Sequence, residues 1–197
     1  MYTFTKRKEW YDDEAWNQKL ESTFFSQFSG NAATEHGNKS EITCLKALER
    51  KYPIFVSNLG FFVNSKYPWF GYSLDGIQGK DELIEIKSPV IGEELPAEQF
   101  SEKNCPCLRL IGENLELKKK HKFYGQIQLG LCVLGLKKAK LVLYSSLSDT
   151  FREFSVPYDA QFCEEFIPAL RNLYFTRYLP FLYEKKQDTV NALRSFQ

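Results

Sequence analysis

The chain has 197 residues, 43% of them hydrophobic and 16% aromatic, with 26 Lys and Arg against 25 Asp and Glu for a formal net charge of +1. This is the composition of a globular protein with an aromatic-rich core, long enough for one sizeable domain and short for two, which excludes the disordered and low-complexity classes. A balance so close to zero names no strongly charged partner by itself, so any such partner must be met by a local patch.

The first predicted element is a helix over about residues 10–28, where Trp16, Leu20, Phe24 and Phe28 recur four apart. "SGNAAT" breaks it. A second helix is expected from about Lys39 to Lys51, burying Ile42, Leu45 and Leu48 and ending before Pro53. The runs "PIFVSNLGFFVN" and "WFGYSLDGI" read as short strands punctuated by Gly and Asn. "QGKD" reads as a turn into the strand "ELIEIK". Residues 91–117 are the least regular part, with a short helix and a strand or hairpin. "KKKHKFYGQIQLGLCVLGLKK" is an apolar helix with basic ends. "AKLVLYSS" and "FREFSVP" are strands paired across "LSDT", and a long helix over about 158–187, kinked near Pro180, closes the chain. With no linker in view, the expectation is a single domain over residues 1–197, of α/β (α+β) class, with a central mixed sheet flanked by helices.

Five cysteines (Cys44, Cys105, Cys107, Cys132, Cys163) include no Cys-x-x-Cys pair, so neither a disulfide framework nor a zinc finger is expected. Reduced thiols, the absence of a signal-peptide core in "MYTFTKRKEW" and the lack of a membrane-length apolar run predict a soluble intracellular protein, in nucleus or cytoplasm.

Chemistry concentrates in "ELIEIKSP". Side chains alternate along a strand, so Glu85 and Lys87 share one face while Ile84 and Ile86 share the other. Opposite charges on a buried strand are costly unless paired, solvated or holding a metal. Ten residues earlier, Asp75 stands before Gly76, and a hairpin about "QGKD" would bring Asp75 and Glu85 to one end of the sheet. Two carboxylates beside a lysine suit Mg²⁺, which keeps several waters, and one or two ions ~4 Å apart support in-line phosphodiester hydrolysis. The same spacing also fits an aspartate in a turn and a surface Glu–Lys pair on an edge strand.

The segments "YPWFGYSLDGI", "LIEIKSP" and "KKKHKFYGQIQLGLCVLG", in that order, resemble the YqaJ-like viral recombinase family, which includes lambda exonuclease and belongs to the PD-(D/E)XK nuclease superfamily. The similarity runs from about Asn31 into the C-terminal helix. It implies a restriction-endonuclease-like core and a Mg²⁺-dependent deoxyribonuclease, with Mn²⁺ as substitute. Asp75 and Glu85 would be metal ligands with the Ile86 carbonyl, and Lys87 the catalytic lysine. Gly37 and Glu41 match the family's G-x-x-x-E helix, which would bring Glu41 to the metals as a further acidic group, and Gln126 and Gln128 match its Q-x-Q pair. For Glu41 an ordinary exposed helix position is the competing reading, and for Gln126 a structural hydrogen bond. Ser73 matches the serine of the family's S-P-D turn, which in relatives can contact a terminal phosphate; Leu74 stands where the family has proline. The family's arginine and "ITAS"-like segment is not evident in residues 1–30.

Lys118, Lys119, Lys120 and Lys122, with Lys137, Lys138 and Lys140, form a run without acidic residues that would serve as a phosphate-backbone track or as solubilising helix ends. Tyr67, Trp69, Phe70 and Tyr72 can stack on bases or pack in the core. With only His36 and His121, histidine-based nucleophile activation has few candidates, and Cys105-Pro106-Cys107 lacks the spacing of an iron–sulfur nuclease. The resulting expectation is a 5′–3′ exonuclease on linear double-stranded DNA in recombination, repair or replication, with a single-strand-annealing recombinase and further copies of the chain as candidate partners. The competing readings are a DNA-binding module of the same fold without catalysis, and a structure-specific endonuclease.

Overall fold

A computed structural model describes residues 13–25, 32–57 and 59–194. They fall into two compact units, one spanning Gly30–Ala160 and the other drawing on Met1–Ser29 and Gln161–Gln197. In the second unit, α1 (Asp13–Phe24) buries Trp16 and Leu20 against Phe181, with Leu173 and Tyr178 packed around them. The predicted four-residue recurrence is therefore a packing stripe as far as Phe24; Trp10 and Phe28 lie outside the described residues.

The predicted C-terminal helix is three pieces: α4 (Ala160–Leu173), a π-helical turn over Tyr174–Tyr178, and α5 (Leu179–Arg194). The irregularity thus precedes Pro180, with the Leu179 amide donating five residues back to the Tyr174 carbonyl. A proline has no N–H to continue the i→i−4 ladder, so the slip is absorbed in the turn before it.

The Gly30–Ala160 unit carries the chemistry-bearing motifs. Its first helix, α2 (Ala32–Lys51), begins earlier than the sequence suggests. There follow β1 (Phe55–Ser57), β2 (Phe61–Val63), β3 (Gly71–Ser73), β4 (Gly76–Gln78) and β5 (Glu82–Lys87). Two short 3₁₀ turns, Val90–Glu93 and Ala97–Gln99, lead to a hairpin of β6 (Leu108–Ile111) and β7 (Asn114–Leu117). Next come α3 (Lys122–Leu134), β8 (Lys138–Ser145) and β9 (Thr150–Pro157). The main sheet runs β1-β4-β5-β8-β9, with β5 and β8 parallel and the other pairs antiparallel. A parallel pair needs a long crossover, and that connection contains α3.

The period-2 pattern of β5 assigns its two faces. Ile84 and Ile86 pack with Cys44 and Leu48 of α2 and with Val142 and Tyr144 of β8. Leu83 and Glu85 face α3 instead: a Cβ on Gly130 would lie 2.9 Å from Leu83 and 2.6 Å from the Tyr72 ring. Only glycine allows α3 so close, and that approach seats Tyr72 beside β5. Helices thus cover both faces of a mixed sheet, as expected. The "QGKD" turn is also as expected, with Gly79 at φ 64, where an L-residue is strained.

The Q-x-Q pair divides by helical geometry. Residues two apart on a helix point away from each other, so Gln126 and Gln128 cannot share a task. Gln128 is 0% exposed; its Nε2 donates to the Pro157 carbonyl at 2.8 Å and its Oε1 accepts from the Asp159 amide at 2.8 Å. This corrects the expectation that Gln128 contacts DNA: its amide is fully enclosed, tying α3 to the end of β9. Gln128→Ala is expected to cost about 2–4 kcal/mol, since it leaves buried partners unmade and opens a void. The melting temperature should fall by roughly 5–15 °C on that basis, whereas a change below two degrees would contradict this role.

Candidate active site

The register of β4 on β5 builds the site. Gly76 pairs with Ile84, so extending the ladder by one residue would set Asp75 opposite Glu85. The chain bends at Asp75 instead, leaving β5 without a β4 partner there while its other edge stays paired with β8. The Asp75 side chain takes over, its Oδ2 accepting from the Ile86 amide at 2.6 Å. Asp75, Glu85 and Lys87 are thereby brought together, as the hairpin reasoning anticipates. Ile86 lies between them in chain order, its amide committed to Asp75.

Glu85 is 1% exposed and receives three donors: the Tyr72 hydroxyl on Oε2, and the Lys87 amine and Gln126 carboxamide on Oε1. The edge-strand alternative is therefore wrong for this pair, because β5 is an interior strand and its carboxylate is enclosed. A buried carboxylate is tolerable only with such partners. Lys87 is partly exposed and also sits over the Phe123 ring, 5.4 Å from its centroid. Gln126 is exposed beyond its bond to Glu85, so it stands at the mouth of the site.

Burial, then the charge of Glu85, pushes the Asp75 carboxyl up to about 7; the Ile86 amide and Lys87 pull the other way, and Glu41 adds a further upward push. Burial and the Glu85 charge likewise hold the Tyr72 phenol well above its ordinary value, so it remains a donor. Glu41, on α2 and half-buried, thus acts on Asp75 through its charge. Among the described residues, no three His, Cys, Asp or Glu side chains group closely enough to hold one ion. Glu41 is therefore not drawn in as a third ligand beside Asp75 and Glu85.

This donor set fits a hard divalent cation. Two carboxylates share one amine, leaving net negative charge in a poorly solvated place, which a cation relieves. Mg²⁺ is commonly held by one or two carboxylates, with water and substrate oxygens completing its shell.

Tyr72 is the site residue that sequence reasoning missed, having been read among the stacking or core aromatics. The usable signal was chemical: a tyrosine buried three residues before an aspartate needs a partner for its hydroxyl. Tyr67, Trp69 and Phe70 pack on one another, the Trp69 and Phe70 centroids 4.3 Å apart. Tyr72→Phe is expected to lower cation affinity by about threefold to tenfold, because Glu85 loses the donor that fixes its orientation. Titration of the variant with Mn²⁺ checks this, and affinity equal to the parent's would discount it.

Ser73 is exposed two residues before Asp75. The lysine run separates into groups. Lys138 pairs with Asp81 at 3.1 Å and Lys140 with Glu82 at 3.3 Å, at the end of β5 away from Lys87. That end is five residues, or roughly 17 Å, from Lys87. Lys119 is bound to Asp159 at 2.6 Å, and Lys118 lies 4.0 Å from Glu102. Lys120 and Lys122 are exposed at the start of α3, the end that carries Phe123 and Gln126. His121 caps that helix, its Nδ1 accepting from the Phe123 amide at 3.3 Å. The side chain of His36 lies outside the described residues. No described helix is long and apolar enough to cross a membrane.

Among solved structures, the alkaline exonuclease LHK-Exo from Laribacter hongkongensis superimposes with a TM-score of 0.67, at 16% identity over 95% of this chain and 90% of that one. LHK-Exo in complex with dAMP gives 0.67 at 17% identity, covering 95% and 89%. A phage-related exonuclease from Haemophilus somnus 129PT gives 0.58 at 13% identity, covering 88% and 82%. At these identities the likeness is one of fold. No curated protein is significantly similar in sequence. Residues 6–137, about two thirds of the chain and all of the Asp75, Glu85, Lys87 and Gln126 constellation, match one family throughout: the chain belongs to the YqaJ-like viral recombinase domain family.

Proposed function

We propose that this protein is a divalent-cation-dependent deoxyribonuclease that degrades linear double-stranded DNA from an end, in the 5′–3′ direction, during recombination, repair or replication. The observation that carries the reading is the meeting, just past the end of the β4–β5 ladder, of Asp75 on the Ile86 amide with the enclosed Glu85 and the Lys87 amine bonded to it. Membership of a viral recombinase family, and neighbours described as exonucleases, support the choice of substrate and mode.

In this reading Asp75, Glu85 and the Ile86 carbonyl hold Mg²⁺ or Mn²⁺, which supplies Lewis-acid polarisation of the scissile phosphate and of water. Lys87 keeps its amine at the rim of the acid pair, where it orients the attacking water or neutralises charge developing on the phosphate. Gln126 steadies Glu85 from the open side. Glu41 deepens the negative potential from α2. Ser73, Lys120 and Lys122 contact phosphates of the bound strand, with Lys118 and Lys119 contributing once their ion pairs exchange for phosphate. A single-strand-annealing recombinase and further copies of the chain are the partners proposed.

The test uses end-labelled linear DNA and closed circular DNA, each with Mg²⁺ and with EDTA. Linear DNA should be consumed only with Mg²⁺, and the circle should survive. Cutting of the closed circle would favour a structure-specific endonuclease, and binding without cutting would leave a non-catalytic module. Ends carrying 5′-phosphate, 5′-hydroxyl or a block decide the direction.

A further inference from the structure

A cavity of about 290 Å³ opens beside Lys87, lined by neither Asp75 nor Glu85; of its polar lining only Lys87 and Lys122 have a role in the proposed function, and Ser88 and His121 have none. Its polar lining consists of Lys87, Ser88, His121 and Lys122, and its apolar walls include Phe123 and Pro106. The polar groups share a character. Lys87 and Lys122 are amines. His121 already accepts at Nδ1 from the Phe123 amide, so its neutral ring carries the proton on Nε2 and donates there. The Ser88 hydroxyl is buried without a hydrogen-bond partner, although buried hydroxyls in folded proteins are paired as a rule. The first turn of α3, a 13-residue helix, runs along the same wall, and its N-terminus favours negative charge. Lys122 and Lys118 also push the His121 ring towards its neutral form, after the larger effect of burial, so the corner is electropositive.

We infer that this cavity is a phosphate subsite, taking one phosphate group next to the scissile position, with Ser88, His121 and Lys122 as donors and Phe123 and Pro106 against the attached sugar or base. The identity of the phosphate as a nucleotide's rests on the nuclease reading; the donor cavity does not. The orphaned Ser88 hydroxyl makes the two roles separable. If Ser88 were merely structural, removing an oxygen that has no partner would cost nothing and move nothing else.

The experiment titrates the full chain, in EDTA, with inorganic phosphate, a deoxynucleoside 5′-monophosphate and the corresponding deoxynucleoside, and measures KM and kcat on linear DNA with Mg²⁺. The parent should bind the monophosphate at least tenfold more tightly than the deoxynucleoside. Ser88→Ala and Lys122→Gln should each weaken that binding by about tenfold, the loss of one charge-assisted hydrogen bond. Ser88→Ala should do so without lowering the melting temperature. That result identifies the released mononucleotide as occupant. If free phosphates do not bind but both variants raise KM severalfold at constant kcat, the occupant is a phosphate of the bound strand, and the subsite stands. Unchanged titrations together with unchanged KM in both variants overturn it, even while the parent digests DNA. Should the parent fail to cut DNA at all, the nuclease reading falls and the titrations alone decide the subsite.

Discussion

Replacing Glu85 by glutamine is expected to slow the proposed Mg²⁺-dependent hydrolysis of linear DNA by about 10³-fold or more, by analogy with removal of other preorganised charge-stabilising groups. The protein should remain folded. Glu85 is 1% exposed, with Tyr72 on one oxygen and Lys87 and Gln126 on the other. Glutamine keeps the volume and one acceptor oxygen, but presents an amide N–H₂ where the other donors now meet an oxygen. The site loses the charge that would hold a cation and the anion that anchors Lys87. Alanine is the poorer test: truncating one member of a buried ion pair costs about 3–5 kcal/mol, so lost activity and lost fold would be confounded. Lys87→Met should give a comparable loss, since Glu85 keeps Tyr72 and Gln126 while the rim loses its amine. Single-turnover digestion of end-labelled DNA, with a thermal melt as control, measures both. A parental rate in folded Glu85→Gln would remove Glu85 from the chemistry.

Asp75→Asn should separate stability from activity, with opposite signs. The Asp75 carboxyl is raised from 3.8 to about 7 in the folded chain. A folded-state value above the unfolded one means that the native protein retains a proton the unfolded chain has released. Stability from this group is therefore present below about pH 4 and is lost as pH rises to about 7. The loss is of order 4 kcal/mol across that window in the absence of a divalent ion. Asparagine keeps an oxygen for the Ile86 amide and carries no charge. In EDTA at pH 8 the variant should melt several degrees above the parent, at roughly 2–4 °C per kcal/mol for a chain of this size. At pH 5 the difference should shrink to under half, because the folded parent is protonated there and only its unfolded chain has released the proton. Mg²⁺ should stabilise the parent at pH 8 and leave the variant unmoved, while hydrolysis by the variant falls by about 10²–10³-fold. Thermal melts in EDTA and in Mg²⁺ at both pH values read all of this. Identical curves for parent and variant at pH 8 would mean that Asp75 bears no buried charge.

Legibility followed the range of the interaction. The turn at Gly79, the strand Glu82–Lys87 and the meeting of Asp75 with Glu85 are local, carried by glycine chemistry, side-chain alternation and a short hairpin register. The split between Gln126 and Gln128 is equally local, since it follows from 100° per residue on a helix, although the Q-x-Q motif sets the two side by side in the sequence. The early start of α2 at Ala32 was hidden by weak patterning. The π-turn ahead of Pro180 was hidden because a proline marks where a ladder breaks, not where the slip is taken up.

The sequence by itself determined which residues could hold charge on one face of β5, and that one short turn would bring them together. Only the tertiary structure decided that Glu85 is enclosed, that Tyr72 and Gln126 complete its shell, and that Lys138 and Lys140 belong to ion pairs at the far end of the strand. The physical reason is that burial and its partners come from elements distant along the chain. Glu85 meets Gln126 from 41 residues away, through a helix brought close at Gly130, and no spacing within one strand encodes that approach.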